Sequence, residues 1–366
     1  MGRAARDAFV ESRNSQRLAS PFRLSSAHVV WVVRLRGDMD DVENQAFEAL
    51  FAPIETPLDQ WPQGIIHYTS ADSFKNIFLS KSLQFSASSA MNDTQEVLGP
   101  LAIIPRYWHG ARCKAWKDAM SQAWPQFIPA FETYFTNRMP AAAGELYLSC
   151  WCKYDINEFP TGKLSMWRAY GDDGRGMAIL IDTKPLRDFR ISGVDGFPIQ
   201  FFKTRYENDQ QFEDTLHASA LACLNHIGVL HAVAAQRGLD DACWWLFQAW
   251  IQAAATRKHP GFREEEEWRF IYVRSWDHQN TFSSHVGVAT IRGQIRPRML
   301  LPVIDYGHLG LPGTDFNKIV VGTIMGPNLA DKSSTHRAAL MLMEGAGLAN
   351  ASNRIVICDT PYRSAI

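Results

Sequence analysis

Short strand-like segments, interrupted at irregular intervals by helical ones, constrain the fold of this 366-residue chain more than any other feature. The apolar segments with strand character are 65–69, 82–86, 146–151, 176–181, 267–273, 286–291, 299–303 and 318–321. Helical patterns separate some of these strands but not others, whereas a doubly wound sheet alternates strands and helices regularly. The sequence therefore predicts an α+β protein.

The chain divides into a weakly patterned start and a strongly patterned remainder. Residues 1–57 contain one short apolar run, at 29–33, and are predicted to be an N-terminal accessory extension. Residues 58–366 are predicted to form the main domain. Within it, residues 208–258 are Ala-rich, helical and broken at Gly238, which predicts a helical insertion that packs as a hairpin.

Composition and charge exclude several classes of protein. With 46% hydrophobic and 20% charged residues, the chain can bury enough apolar surface to exclude global disorder. Its formal charge of -1 gives no global attraction to nucleic acid or anionic membranes. The 6 cysteines lack zinc-site spacing, which predicts reduced thiols and no metal. No segment has the apolar length of a membrane span and no signal peptide opens the chain, so we expect a cytoplasmic protein without membrane contact.

A run of glutamates opens the strand pattern at residues 264–273. With a period of two, Glu265, Glu267 and Arg269 share one face, whereas Trp268 and the later aromatic residues share the other. The aromatic face suits a core, so Glu265 and Glu267 should project together from the opposite face. Arg269 would moderate their repulsion there. The alternative is a solvated run of charge at the start of a strand.

Two shorter motifs carry polar side chains at the ends of elements. His67 and Thr69 end a strand and share a face opposite Tyr68. The second motif, Trp167-Arg168-Ala169-Tyr170-Gly171, ends a short helix and offers an aromatic ring, a guanidinium and a phenol in one place. Taken alone, each motif is more typical of packing than of a functional site.

As an ordered set, these motifs resemble a widespread prokaryotic family known only as a domain of unknown function. The segments that carry the resemblance are His67-Tyr68-Thr69-Ser70, Phe85 to Glu96 with Met91-Asn92-Asp93, Ser149, Trp167-Arg168-Ala169-Tyr170-Gly171 with Gly176, Phe262-x-x-Glu265-x-Glu267-Trp268-Arg269 and Gly326-Pro327-Asn328. That family in turn resembles the ADP-ribosyltransferase superfamily. Its His-Tyr-Glu branch has a His on the first core strand, an aromatic residue after a later strand and a Glu, often as Glu-x-Glu, on a further strand. The resemblance implies a split sheet of mixed or antiparallel strands.

The resemblance also implies an enzyme that uses NAD as a substrate. Cleavage of the nicotinamide glycosidic bond develops positive charge on the ribose, which a fixed carboxylate stabilises. The implied carboxylate is Glu267, assisted by Glu265. His67 would bind a ribose hydroxyl, and Tyr170 would stack on the nicotinamide ring. The other implied cofactor contacts are Tyr68, Thr69, Ser149, Trp167 and Arg168. The acceptor would be a nucleic acid or a protein, as for a toxin or a phage-defence effector.

Two other functions fit the sequence. One is a non-catalytic protein that senses a nucleotide or binds a partner on the same fold, with the Trp-rich helices at 111–136 and 239–258 as its surface. The other is metal-assisted hydrolysis at residues 264–267, although carboxylates on opposite strand faces make a poor single site. The transferase hypothesis requires His67 and Glu267 to open into one cleft, which the facing of their strands decides.

Overall fold

The structure, a computed structural model, describes residues 48–91, 95–155, 160–192, 199–277, 280–291, 293–309 and 311–361. Within these ranges a sheet of 10 strands has helices packed on both of its faces. Most neighbouring strands are antiparallel, and the last two in the chain run parallel, so the sheet is mixed. The predicted α+β class is confirmed.

The strands follow the predicted segments closely and include several that the sequence pattern missed. In chain order they are β1 (Gly64–Thr69), β2 (Ser82–Ala87), β3 (Leu146–Lys153), β4 (Met177–Asp182), β5 (Ile199–Lys203), β6 (Arg205–Tyr206), β7 (Arg257–Lys258), β8 (Glu267–Val273), β9 (Val286–Ile291), β10 (Gln294–Pro302), β11 (Val320–Met325) and β12 (Ile355–Ile357). The main sheet has the order β12-β11-β4-β1-β3-β2-β10-β9, and β8 also pairs with β3 and then with β5. Strands β6 and β7 form a separate parallel pair.

The helices are mostly short or of medium length. They are α1 (Ala71–Ser80), α2 (Gln95–His109), α3 (Ala111–Ala123), α4 (Phe127–Arg138), α5 (Ala142–Glu145), α6 (Leu164–Ala169), α7 (Lys184–Ser192), α8 (Asp209–Asn225), α9 (Ile227–Arg237), α10 (Leu239–Ala255), α11 (Phe316–Ile319) and α12 (Lys332–Gly345). No single helix of the described residues is long and apolar enough to cross a membrane. Helices α8 and α9 together reach that length and apolarity, with a bend of 74° between them.

Strand β3 organises the sheet because it has three neighbours. One of its edges pairs with β8 along residues 146–152. Its other edge pairs with β1 at residues 152–153 and with β2 at residues 147–148. Strands β1 and β2 therefore diverge from a common edge, and residues 149–151 face the gap between them. We call this gap the strand split.

The sheet separates two large apolar cores. The first core joins one face of β3 and β8 to helices α2, α3, α4, α8, α9 and α10. The second core joins the opposite face, which carries Trp151, Trp268 and Phe270, to α1 and α12. The Trp-rich helices thus bury their rings: Trp116, Trp124 and Trp250 belong to the first core. These three rings fill the space between helices and sheet, so they are not part of the surface that the Trp-rich helices offer to a partner.

Two predicted regions differ from the expected outline. Residues 48–57 would be the end of the accessory extension, yet Leu50, Phe51 and Ile54 are buried in the first core. Residues 1–47, with the apolar run at 29–33, lie outside the described residues. The expected hairpin at 208–258 is three helices, since the chain breaks at His226 as well as at Gly238.

Candidate functional site

Five charged side chains meet on the first-core face of β8. The Nζ atom of Lys258 lies 2.5 Å from Glu265 Oε2, 2.7 Å from Glu267 Oε2 and 3.1 Å from Glu96 Oε1. Arg269 Nε donates to Glu267 Oε1 at 2.7 Å, and the same guanidinium pairs with Glu96. The side chains of Lys258, Glu265, Glu267 and Arg269 are buried, and that of Glu96 is 9% exposed. We call this group the ion network.

Local backbone structure brings these groups together. Glu267 and Arg269 occupy alternate positions of β8 and so share a face, as predicted. Glu265 does not belong to the strand, because it ends a 3₁₀ helix over Pro260–Glu265. Glu266, with φ of 44°, then turns the chain into the strand. The alternative of a solvated run of charge is therefore wrong for Glu265 and Glu267, which are buried. It holds for Glu264 and Glu266, which are exposed.

The ion network holds one more carboxylate than it has cations, and the pKa values of its glutamates move apart. Burial raises the pKa of Glu265, and Lys258 only partly opposes this effect. Burial also opposes ionisation of Glu267, but Arg269 and Lys258 lower its pKa to about 2. Two carboxyl groups in one network are thus held at different proton affinities. The network is charge-balanced when Glu265 carries a proton.

Tyr170 lies at the outer end of the ion network. Its hydroxyl donates to Glu265 Oε1 at 3.0 Å, while its side chain stays 41% exposed. Helix α6 positions it, because the buried Trp167 anchors that helix by donating from Nε1 to Thr161 O at 2.8 Å. Two residues predicted to be catalytic, Tyr170 and Glu265, are therefore in contact although 95 positions separate them.

A second exposed aromatic ring lies beside Lys258. Phe262 is 40% exposed, and Lys258 Nζ lies 5.0 Å from the centre of its ring. Tyr170 and Phe262 thus approach the Lys258–Glu265 pair from two segments. We call these two rings and the Lys258–Glu265 pair the network mouth. Planar or cationic groups bind well at such places, because ring faces stack and attract positive charge.

His67 does not share a face with Glu267. Residues Ile66, Cys152 and Glu267 form one row across β1, β3 and β8. Since side chains alternate along a strand, His67 points away from that face. Its ring packs 4.9 Å from the ring of Trp151, which belongs to the second core. The expected common cleft of His67 and Glu267 is therefore wrong: the strand register separates the two side chains.

His67 instead reaches into the strand split. Its Nδ1 lies 3.0 Å from the carbonyl oxygen of Cys150, on the β3 edge that neither β1 nor β2 covers. A carbonyl can only accept, so Nδ1 carries the proton and Nε2 is left as an acceptor in the neutral ring. Burial lowers the pKa of His67, which favours that neutral form.

The remaining predicted cofactor contacts have mostly packing environments. Tyr68, Thr69, Ser149 and Trp167 are buried, and Arg168 is exposed on α6. The Tyr68 hydroxyl accepts from the backbone N–H of Lys163 at 2.8 Å, and Ser149 Oγ accepts from Trp151 Nε1 at 3.1 Å. These contacts hold the loop before α6 and the centre of β3.

Sequence reasoning gave no role to three members of the site. Glu96, the end of one segment that carries the resemblance, lies in the first turn of α2, and Lys258 forms part of the very short β7. Tyr206 accepts a hydrogen bond from the Glu267 backbone N–H at 2.8 Å. Neither Lys258 nor Tyr206 lies in a local pattern typical of a site. Their contacts depend on packing of the insertion helices against the sheet, which no motif signals.

The metal-assisted alternative finds little support in this arrangement. Among the described residues, no group of three or more His, Cys, Asp or Glu side chains is arranged to hold a metal ion. In the ion network, the Lys258 ammonium lies among three carboxylates, where a divalent cation would otherwise bind.

Comparison with known protein families gives a match over part of the chain. The model of a family described as a protein of unknown function (DUF2971) matches residues 166–270. This segment contains Tyr170, Lys258, Glu265 and Glu267, but not His67. The chain is therefore similar to that family from α6 to β8. No curated protein and no solved structure gives a significant match.

Proposed function

We propose that this protein is an ADP-ribosyltransferase-like enzyme that cleaves the bond between nicotinamide and ribose in NAD at the network mouth. The observation that carries the proposal is the hydrogen bond from Tyr170 to Glu265, 3.0 Å long. It joins a partly exposed aromatic ring to a carboxyl group of the ion network. The proposal departs from the His-Tyr-Glu arrangement, because the strand register turns His67 away from Glu267. It depends on Tyr170 and Glu265 and gives His67 no part in the cleavage.

The charge of the network mouth suits the substrate. The nicotinamide ring of NAD is a planar cation, which aromatic faces such as Tyr170 and Phe262 attract. The ion network has one carboxylate in excess of its cations, so ionised Glu265 would complement the positive ring. A bound cation would also favour loss of the Glu265 proton, since a nearby opposite charge favours the ionised carboxylate.

Cleavage of the bond between nicotinamide and ribose requires a negative charge beside the ribose more than it requires a proton donor for the leaving group. The electron pair of the glycosidic bond moves onto the ring nitrogen, so nicotinamide leaves as a neutral molecule. Positive charge develops on the ribose, and an adjacent carboxylate stabilises it. An acceptor hydroxyl or amine, or water, then bonds to the ribose carbon and loses its proton. We assign the stabilising charge to Glu265.

This assignment reverses the order of the two glutamates expected from the sequence. Glu267 is 2% exposed, and Lys258 and Arg269 bind its two carboxylate oxygens. A substrate would have to break these contacts to reach it. We therefore give Glu267 a positioning role, in which it holds Lys258 against Glu265.

Nicotinamide release from NAD by the purified protein tests this function. We expect Glu265→Gln to lower the release rate by about 10²- to 10³-fold, as the loss of a charge-stabilising group does. Tyr170→Phe should also lower the rate, because it removes the hydrogen bond that orients Glu265. Glu264→Gln is the matched control, since its exposed side chain neighbours the network without joining it.

The assay should be repeated in cell lysate with labelled NAD, followed by nuclease or protease digestion. Label lost to one digestion identifies a nucleic-acid or a protein acceptor, as proposed for a toxin or phage-defence effector. Release that is absent in both settings, or equal in wild type and Glu265→Gln, would rule the proposal out.

A non-catalytic nucleotide sensor is the second candidate. The observation that favours it is the complete pairing of Glu267 and Arg269, which resembles a structural ion cluster more than a reactive one. NAD binding at the network mouth without nicotinamide release would favour this candidate. Calorimetry with the wild type and Tyr170→Ala measures that binding.

A further inference from the structure

A loop with an unfavourable backbone conformation follows Tyr170 directly. Asp172 and Asp173 have φ of 50° and 55°, and Gly174 continues this left-handed stretch with φ of 76°. The left-handed region is unfavourable for a residue with a Cβ atom, so two successive aspartates keep it only where surrounding contacts hold them. We call residues 171–176 the strained loop.

One set of hydrogen bonds ties the strained loop to helix α6. The Trp167 carbonyl oxygen accepts from the backbone N–H groups of Gly171 and Gly174, at 3.2 and 3.1 Å. Tyr170 lies between these two points of the chain, at the end of α6. A displacement of the strained loop would therefore displace Tyr170.

A second set comes from the turn that follows β11. Strand β11 pairs with β4, and Met325 at its end lies opposite Met177 at the start of β4. Residues 326–328 therefore meet the loop that precedes β4, which is the strained loop. We call residues 326–328 the clasp.

The clasp donates three hydrogen bonds to carbonyl oxygens of the strained loop. The Gly326 N–H donates to Gly176 O at 3.0 Å, and the Asn328 N–H donates to Gly174 O at 2.8 Å. The Asn328 side chain donates from Nδ2 to Asp173 O at 3.2 Å. The clasp thus binds the left-handed residues themselves, which supplies the contacts that their conformation requires.

Gly326 allows the clasp to approach this closely. A Cβ atom at this position would lie 2.2 Å from Gly174 O, so any larger residue would push the two segments apart. The segment Gly326-Pro327-Asn328, which carries part of the resemblance seen in the sequence, thereby has a physical task.

Tyr170 depends on such support more than a core residue does. Its side chain is 41% exposed, and its hydroxyl must stay within 3.0 Å of Glu265 Oε1. We propose that Asn328 and Gly326 are positioning residues, which hold the strained loop and thereby keep Tyr170 in its hydrogen bond with Glu265. Their effect on nicotinamide release rests on the proposed function, whereas their effect on the contact between Tyr170 and Glu265 does not.

NMR of the protein labelled with ¹³C at tyrosine Cζ tests the clasp without a substrate. The signal that Tyr170→Phe removes belongs to Tyr170, and Glu265→Gln should shift it. In Asn328→Ala and Gly326→Ala, we expect this signal to move toward that of an exposed tyrosine and to lose its response to Glu265→Gln.

Two matched controls should leave the Tyr170 signal unchanged. Gly345→Ala adds a Cβ atom in open space, and Asn353→Ala removes an exposed side chain. If Gly326→Ala does not fold, Asn328→Ala decides, because it removes one side-chain hydrogen bond and keeps both backbone hydrogen bonds of the clasp.

The kinetics of nicotinamide release show whether the clasp acts through Tyr170. Asn328→Ala should lower kcat by about 2- to 10-fold, as the loss of one hydrogen bond does. In a Tyr170→Phe background the same substitution should change kcat no further, because residues that act through one contact are not additive.

Two outcomes would overturn the clasp: a Tyr170 signal that Asn328→Ala leaves in place, or independent effects of Asn328→Ala and Tyr170→Phe on kcat. The two proposals fail separately. A displaced Tyr170 signal without nicotinamide release by the wild type removes only the transferase. Release that Glu265→Gln lowers and Asn328→Ala leaves unchanged removes only the clasp.

Discussion

The ion network on β8 and Arg298 on β10 place charged groups on the same sheet in opposite ways. In the network, Lys258 and Arg269 are surrounded by carboxylates, so the two buried cations are compensated within the chain. In contrast, Arg298 is partly buried and forms no ion pair with the described residues. The contrast indicates that the network stabilises the fold through its charge pairs, whereas Arg298 contributes no such pair.

The largest loss of stability should follow from removing one charged member of the ion network. Glu267→Gln leaves Arg269 and Lys258 buried with fewer negative partners, so the free energy of unfolding should fall by about 3–5 kcal/mol. Urea denaturation measures the loss. Glu264→Gln, on the exposed side, should change stability by less than about 0.5 kcal/mol. Similar values for the two variants would mean that the network does not stabilise the fold.

Acidification should remove most of the stability that ionised Glu267 contributes to the fold. The pKa of Glu267 is lowered from 4.5 to about 2, so its contribution is present above pH 4.5 and is lost as pH falls from 4.5 to 2. The raised pKa of Glu265 acts in the opposite sense, since its contribution is lost as pH rises through that raised value. The stability difference between wild type and Glu267→Gln should therefore shrink by about 3 kcal/mol over this acid range. Urea denaturation in a pH series measures it, and a constant difference would contradict the assigned pKa.

The outer member of the network should matter much less to stability than to activity. Glu265→Gln replaces a carboxyl group with raised pKa by a neutral group of the same shape. We expect a loss of under about 1 kcal/mol, close to that of one hydrogen bond. Urea denaturation beside the nicotinamide assay gives both quantities. A loss as large as that of Glu267→Gln would place Glu265 with the structural charges.

The smallest effect should be found at Arg298. Arg298→Gln should change the free energy of unfolding by less than about 0.5 kcal/mol, as substitutions without native partners do. Urea denaturation checks this, and Arg269→Gln provides the counterpart with native ion pairs. A large loss of stability in Arg298→Gln would remove the contrast between Arg298 and the ion network.

Local sequence patterns predicted much of the fold and part of the site. Strands β1 and β2 lie at the predicted segments 65–69 and 82–86, and Ser70 caps helix α1 between them. The period of two in β8 correctly placed Glu267 and Arg269 on one face, opposite Trp268. The same rule placed His67 opposite Tyr68, but no local pattern relates the face of one strand to the face of another.

The sequence by itself determined which segments form strands and helices, because periodicity and capping act between residues a few positions apart. It also determined that Glu267 and Arg269 lie together. Only the tertiary structure decided which faces of β1 and β8 coincide, and so separated His67 from Glu267. It also brought Lys258, Glu96 and Tyr170 to the glutamates. These contacts join residues far apart in the chain, and strand register and core packing, which no local pattern encodes, set them.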